Sequence, residues 1–150
     1  MVSYNVEAGL ARAVIFGTKA SVLKPHGKRK HAAAGDPLHI CCGNLPPDYG
    51  RSEHYHRLMV VPCSLSLPVK ITDGGMLRDG AVDTQGHRME LMAQAEGFDS
   101  FVALQVHLDR MFGLPWDGQL WRWKPYEAEF RAQWPLIEKV APDVGEEGVR

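Results

Sequence analysis

The sequence predicts an α+β fold, and three observations support this expectation. Apolar and polar residues alternate strictly from Cys63 to Thr72, which is the pattern of a half-buried strand. Apolar residues recur at helical spacing between Val6 and Gly17. A second helical stripe runs from Phe101 to Met111. We therefore expect a central group of strands with helices before and after it.

Composition places the 150-residue chain among folded globular proteins. Hydrophobic residues make up 45% and charged residues 23%, so disorder of the whole chain is excluded. Length favours one domain, expected at 1–124, with a C-terminal tail at 125–150. The sequence shows neither a long apolar run nor a secretory leader, which predicts a cytoplasmic protein without a membrane contact.

The first half of the chain contains a helix, short strands and loops. Gly17 is expected to end the first helix in a left-handed conformation. Pro46, Pro47 and Gly50 predict a long loop. The expected elements are a helix at Glu7–Phe16, a strand at Ala20–Leu23 that leads into a basic loop, and a strand at Leu38–Cys42.

The alternating strand carries Pro62 and Pro68, and proline cannot donate a hydrogen bond to a sheet. These two residues predict an edge strand or a bulge. Asp73-Gly74-Gly75 then predicts a turn into a hairpin with Met76–Val82.

Helices and one strand are expected after the hairpin. Asp99 or Ser100 would cap the second of two helices. The expected elements are helices at Arg88–Ala95 and around Phe101, Leu104, Leu108 and Met111, a strand at Gly118–Trp123, and a short tail helix around Glu127–Gln133.

Charge is unevenly distributed although its sum is only -1. Residues 11–31 contain no acid, whereas acids outnumber bases after residue 125. The first region is a candidate surface for phosphate groups, or alternatively a solvated basic loop. Its basic residues are Arg12, Lys19, Lys24, Lys28, Arg29 and Lys30, with His26 and His31.

Several short motifs, taken in order, resemble the ASCH family of PUA-like domains, in particular small phage and prophage members. The motifs are Gly17-Thr18-Lys19, Lys28-Arg29-Lys30-His31, Gly35-Asp36-Pro37-Leu38, the Cys63 strand, Ala95-Glu96-Gly97-Phe98 and Leu120-Trp121-Arg122-Trp123. The resemblance covers about residues 4–124. It implies a PUA-like small β-barrel with flanking helices and a cleft associated with RNA or nucleotide binding.

Some members of this family hydrolyse acylated cytidine nucleosides, and others are described as ribonucleases. The resemblance places their working residues at Lys19, Val22 and Glu96. Val22 departs from the family's threonine and offers no hydroxyl for nucleophilic attack. Lys24 replaces an arginine and loses its bidentate geometry. Ser21 cannot substitute for position 22, because adjacent strand residues face opposite sides.

Lys19 and Glu96 form a chemically reasonable pair with two interpretations. A lysine beside a carboxylate in a cleft can bind an anion, polarise a carbonyl or transfer a proton. The same pair can also be a structural ion pair between two helices.

Other candidate groups favour ordinary structural roles. His54 and His56 with Glu53 have the residue types of metal ligands, but their loop position indicates no metal site. Cys41, Cys42 and Cys63 form no C-x-x-C pair and are expected to be reduced, buried strand residues.

Aromatic residues near the end of the predicted domain could stack on a base or fill the core. Trp121 and Trp123 share a strand face, and Tyr55 or Trp116 could join them. Arg122 lies on the opposite face of that strand, toward solvent or the cleft.

Three functions remain open from sequence. The first is RNA or nucleotide binding through Thr18, Lys19, Ser21, Lys24, Lys28, Arg29, Lys30 and Arg122. The second is an amidohydrolase or ribonuclease that uses Lys19 and Glu96. The third is a phage-derived module whose tail contacts a protein partner. No cofactor is expected in any of them.

Overall fold

The computed structural model describes residues 2–26, 31–42 and 56–133 of the chain. Within these ranges the protein is a mixed α/β structure, in which a few helices pack on a large sheet that is not closed. The strands are β1 Val2–Val6, β2 Ser21–Pro25, β3 Pro37–Cys42, β4 His56–Thr72, β5 Gly75–Arg78, β6 Ala81–Val82, β7 Trp116–Trp123 and β8 Phe130–Arg131. The α-helices are α1 Ala11–Phe16, α2 Gly86–Ala95 and α3 Phe101–Phe112. Turns of 3-10 helix lie at Ala8–Leu10 and Pro125–Glu127.

Strand β4 is the centre of the sheet. Its first half pairs antiparallel with β3 and β8, and its second half pairs antiparallel with β7 and β5. The prediction of an edge strand is therefore wrong, whereas the predicted bulge is confirmed by a register shift between Cys63 and Leu65. The backbone nitrogen of Pro68 faces β5. Pairing between β4 and β5 begins only at Val69, so no strand needs a hydrogen bond from residue 68 on that side. The carbonyl of Pro68 on that same side accepts a hydrogen bond from the Asp79 N–H at 2.8 Å.

The predicted hairpin is present, and a second one follows it. Thr72 pairs with Gly75 across the first turn, and Arg78 pairs with Ala81 across the second. Asp79 has a φ of 51° in that second turn, which is an uncommon conformation that aspartate tolerates better than most residues.

Two hydrophobic cores lie on opposite faces of the sheet. Neighbouring strand residues such as Val22 and Leu23 belong to different cores, because side chains alternate across a strand. The first core lies under β1 and α1 and contains Trp121. The second lies under α2 and α3 and contains Leu120. Strands β2, β4 and β7 contribute to both cores and join them.

Most of the smaller predictions about packing are confirmed. The three cysteines are free and buried in strands. The side chain of Ser100 caps α3 by accepting a hydrogen bond from the Ala103 N–H at 3.0 Å. Met111 is an exception, because it is 59% exposed while Phe101, Leu104 and Leu108 are buried.

The predicted helix around Glu127–Gln133 is wrong. Phe130 and Arg131 instead form β8, which pairs with Val60 and Met59 of β4. The N–H groups of Glu129 and Ala132 extend this pairing by donating to the Val60 and Leu58 carbonyls. The side of β4 that is not paired with β3 thus offers carbonyl acceptors to the N–H groups of the tail. A short helix on its own would leave such N–H groups without partners. In the described part of the chain, no helix has both the length and the apolar character needed to cross a membrane.

Candidate functional site

The turn Gly17-Thr18-Lys19 directs a lysine into the protein interior. Gly17 has a φ of 85°, and a Cβ at this position would lie 3.3 Å from Cβ of Pro125, so both conformation and space favour glycine. The Thr18 hydroxyl and the Lys19 N–H both donate to the Ala13 carbonyl, at 3.2 and 2.9 Å. These bonds close the end of α1. As a result the side chain of Lys19 is only 2% exposed.

Lys19 forms a buried ion pair with Glu96 at the end of α2. Its Nζ lies 2.6 Å from Oε2 of Glu96 and also donates to the Ala95 carbonyl at 2.6 Å. Oε1 of Glu96 accepts a hydrogen bond from the Leu23 N–H at 3.2 Å. The ammonium group therefore meets the electronegative C-terminus of α2, while the carboxylate binds the side of β2 that faces away from β7. The pair connects three elements of the fold.

A cavity of about 230 Å³ opens beside this pair. It runs along β2 and is bounded by the segment before α1 and by α3. Its polar groups belong mainly to Lys19, Glu96, Lys24, Glu7 and His107. The apolar and aromatic walls come from Val6, Leu10, Val22, Leu23, Phe98, Leu104, Leu108, Phe112 and Trp116. Such a mixture of apolar walls and a few converging polar groups is typical of small-molecule sites.

Lys24 is the half-buried cation at this cavity. Burial lowers the pKa of Lys24 most, the charge of Glu96 opposes that shift, and the charge of Lys19 adds to it. A lysine that has lost part of its hydration gains more from a bound anion than an exposed lysine does. Lys24 is thus the side chain of the cavity best suited to contact an anionic ligand.

Aromatic groups give the cavity flat apolar surfaces. The rings of Phe98 and His107 are 5.1 Å apart between centroids. The buried Trp116 forms another part of the wall, and its ring lies against Gly118, where a Cβ would collide with it. The Phe98 and His107 rings are tilted by 48° to each other, and a planar group can stack on either of them.

Of the described residues in the predicted binding set, Thr18, Ser21 and Arg122 do not line this cavity. Val22, where the resemblance expects a threonine, does line the cavity and is almost fully buried. This part of the wall therefore carries no hydroxyl group. Ser21 is buried and pairs in register with Arg122 on β7. Thr18 is exposed, and its hydroxyl bonds to the end of α1. Lys28, Arg29 and Lys30 lie outside the described residues.

Arg122 belongs to a different surface. Its pKa is lowered by burial first, and then by the positive charges of Arg78 and Arg88. None of the three lines the cavity at Lys19. Among the described residues of the predicted basic cleft, Lys19 and Lys24 therefore line the cavity, whereas Arg122 lies elsewhere.

Trp121 and Trp123 are core residues. Both are at most 3% exposed, and the Trp121 indole N–H donates to the Ala32 carbonyl at 3.0 Å. The Trp121 ring also contacts the Tyr4 ring, with 4.3 Å between centroids. Neither tryptophan is accessible for stacking on a base, whereas Trp116 reaches the cavity.

Metal-ligand candidates receive no support from the described ranges. Glu53, His54 and Tyr55 lie outside them. Within residues 2–26, 31–42 and 56–133, no three His, Cys, Asp or Glu side chains converge in a way that could hold a metal ion.

His107, Phe98 and Phe112 were missed as cavity residues. Their sequence signal is ordinary, because Phe98 follows a helix and the other two lie on α3. Only the packing of α3 against β7 and the end of α2 brings them to Lys24. A histidine next to the apolar stripe of α3 was the one available hint.

Comparison with known proteins adds no family to this geometry. The chain matches no protein-family model, no curated protein sequence and no solved structure.

Proposed function

We propose that this chain binds a nucleotide, either free or as one unit of RNA, in the cavity beside Lys19 and Glu96. The observation that carries the proposal is their convergence across 77 positions of sequence into a 2.6 Å pair at the wall of a cavity. The second cation, Lys24, and aromatic surfaces are present in the same cavity. In this proposal the protein is an ASCH-type domain, and its open sheet corresponds to a PUA-like β-barrel.

The cavity has the chemistry that a nucleotide requires. A base is planar and can stack on the surface formed by Phe98, His107 and Trp116. A phosphate is anionic and is attracted by the partly desolvated Lys24. The volume of about 230 Å³ is small for a ligand pocket, so a single nucleoside unit fits the proposal better than a larger molecule does.

Binding is favoured over hydrolysis by the contacts of the ion pair. Both oxygens of Glu96 already accept hydrogen bonds from protein donors, and Lys19 makes hydrogen bonds to Glu96 and Ala95. Val22 supplies no nucleophile at the place where the resemblance expects a hydroxyl. The pair therefore shapes and polarises the cavity in this proposal without a covalent step.

Calorimetric titration with cytidine 5′-monophosphate and with cytidine tests the proposal. The Lys24→Met variant should weaken binding of the monophosphate about tenfold, because a charge-assisted hydrogen bond is lost, and should leave cytidine binding nearly unchanged. Lys70→Met is the matched control, because Lys70 is 45% exposed and pairs only loosely with Asp117 at 3.8 Å. Equal affinities for all three proteins would contradict the role of Lys24.

A short single-stranded oligoribonucleotide separates RNA from free nucleotides. If RNA is the natural ligand, the oligonucleotide binds more tightly than the monophosphate and its affinity falls steeply with salt. Hydrolysis is tested separately: the protein is incubated with an N4-acylated cytidine, and chromatography detects any cytidine that is released. Turnover that disappears in Lys19→Met while the fold is kept would favour the hydrolase instead.

A further inference from the structure

We infer that the pocket between β4, the β5–β6 hairpin and the start of α2 is a second binding site, which takes a phosphomonoester or free phosphate through Arg78, Arg88 and Arg122. This pocket is separate from the cavity at Lys19, and the inference does not depend on the proposed function.

The pocket is a concave surface with a volume of about 320 Å³. Leu65 and Leu67 of β4 form its floor, and Arg78 and Arg88 enter from the hairpin and from α2. Arg122 lies beside it, because it pairs in register with Leu65 and so shares the same face of the sheet. Two guanidinium groups thus line the depression, and Arg122 lies next to one of its lining residues, Leu65.

The donors of Arg78 are poorly used by the protein. Its side chain is 12% exposed, and its Nε is buried without a hydrogen-bond partner in the described structure. The ion pair with Asp83 is long, at 3.8 Å between Nη1 and Oδ2, and that Oδ2 also lacks a hydrogen-bond partner. Asp83 uses its other oxygen to cap the backbone N–H of Gln85 at 2.9 Å. A buried guanidinium with unused N–H groups is costly unless a ligand completes it.

Positive charge exceeds what the nearby acids compensate. Burial comes first in lowering the pKa of both Arg78 and Arg122, and the repulsion from Arg88 adds to it in both cases. Asp83 offsets part of this charge, while Asp79 is exposed on the hairpin turn. An anion bound between Arg78, Arg88 and Arg122 would offset the repulsion among their positive charges.

A phosphate group fits this arrangement better than other anions do. Arginine presents two parallel donors that match two oxygens of a tetrahedral oxyanion, and three arginines can address several oxygens at once. The first turn of α2 adds its partial positive charge beside Arg88.

The two sites lie at opposite ends of α2. Arg88 is near the start of the helix and Glu96 follows its last residue. Eight helical steps correspond to about 12 Å along the axis, and no residue lines both pockets. The sites can therefore be tested independently.

Isothermal titration of the full chain with inorganic phosphate, at constant ionic strength and with chloride as the balancing anion, tests the inference. Arg88→Gln should weaken phosphate binding about tenfold, because a charged hydrogen bond is lost. Arg88→Lys should give a smaller loss, since charge remains without the bidentate geometry. Arg110→Gln removes an equal charge from the exposed end of α3 and should change nothing.

Circular dichroism and the melting temperature of each variant verify that it is folded. Arg122→Gln provides a second loss-of-function variant if Arg88→Gln unfolds. Equal phosphate affinity in wild-type, Arg88→Gln and Arg122→Gln would overturn the inference, as would an equal loss in Arg110→Gln. Oligoribonucleotide binding that requires these arginines without any phosphate binding would also overturn it in favour of a nucleic-acid backbone. If Lys24→Met loses its affinity for the nucleotide and keeps its affinity for inorganic phosphate, the second site binds independently of the first.

Discussion

At the scale of single residues, the Lys19–Glu96 pair combines burial with hydrogen bonds to both oxygens of the carboxylate and two bonds from the ammonium group. Lys19 is 2% exposed and the side chain of Glu96 is 14% exposed. Removal of one partner leaves the other charge buried without compensation. Lys19→Met should therefore destabilise the protein by about 3 kcal/mol in urea unfolding.

Two further variants distinguish pairing from packing. Lys70→Met should change stability by less than about 0.5 kcal/mol, because this surface pair is exposed. Lys19→Met combined with Glu96→Gln should cost less than the two single changes added together, because the buried charges disappear as a pair. Strict additivity would show that the two side chains do not interact energetically.

Lys24 makes nucleotide binding depend on pH in one direction. Burial lowers its pKa below the ordinary value of 10.5, and only the protonated amine attracts a phosphate. The affinity for cytidine 5′-monophosphate should therefore decrease as the pH rises through this lowered pKa. The phosphate itself has completed its second ionisation by about pH 7 and contributes no further change.

Titrations at several pH values between about 7 and 10 measure this effect. The wild-type affinity should fall across that interval, and Lys24→Met should give a weak and nearly flat profile. An affinity in the wild-type protein that stays constant over the whole interval would assign phosphate contact to another group.

The sequence predicts the charged part of the cavity better than its walls. Lys19 and Glu96 are predicted from the resemblance of their short motifs, Gly17-Thr18-Lys19 and Ala95-Glu96-Gly97-Phe98, to a known family. Each motif contains a glycine of positive φ at the end of a helix, which is a strong local signal. Phe98 and His107 come together only when α3 packs on the sheet, and no local spacing encodes that contact. Met111 illustrates the same limit, because the helical stripe extends one turn beyond the core that covers it.

At the scale of elements, Gly118 couples β7 to the cavity wall. A Cβ at this position would collide with the Trp116 ring and lie 2.6 Å from the backbone oxygen of Lys24. Gly118→Ala should destabilise the protein by about 2 kcal/mol and displace both neighbours. Thermal unfolding measures the loss, and nucleotide titration should show weaker binding.

Gly86 in α2 provides the matched glycine. A Cβ there meets nothing within 4 Å, and alanine is the better helix former, so Gly86→Ala should be neutral or slightly stabilising. If both substitutions lowered the melting temperature equally, the close approach at Gly118 would not be the cause.

Strand β4 shows why element type is easier to predict than element position. Its alternation is clear in the sequence, but its prolines favour an edge position. The neighbouring strands β5 and β7 determine where a missing N–H can be tolerated, and the sequence of β4 alone does not show this. The tail shows the converse: Phe130 and Arg131 lie inside the predicted tail helix but form a strand, because β4 offers backbone acceptors there. Tertiary pairing overrides local preference in both cases.

At the scale of the whole molecule, three strands belong to both cores. Since β2, β4 and β7 connect the cores, the described part of the chain should unfold in one transition. Ile71→Ala in the second core should cost about 3 kcal/mol and shift the whole transition. Far-UV circular dichroism measures the loss of secondary structure, and tryptophan fluorescence measures the exposure of both cores. Trp121 and Trp123 lie in the first core and Trp116 lies in the second. Transitions that separate in Ile71→Ala would show that the cores are independent.

The central proposal is that the cavity beside Lys19 and Glu96 binds a nucleotide. The most direct measurement is a two-dimensional NMR titration of the labelled protein with cytidine 5′-monophosphate. We expect saturable amide shifts concentrated at Leu23, Lys24, Phe98 and His107, with smaller changes at the arginine pocket. Shifts absent from these residues at saturating nucleotide, or confined to other surfaces of the protein, would contradict the proposal.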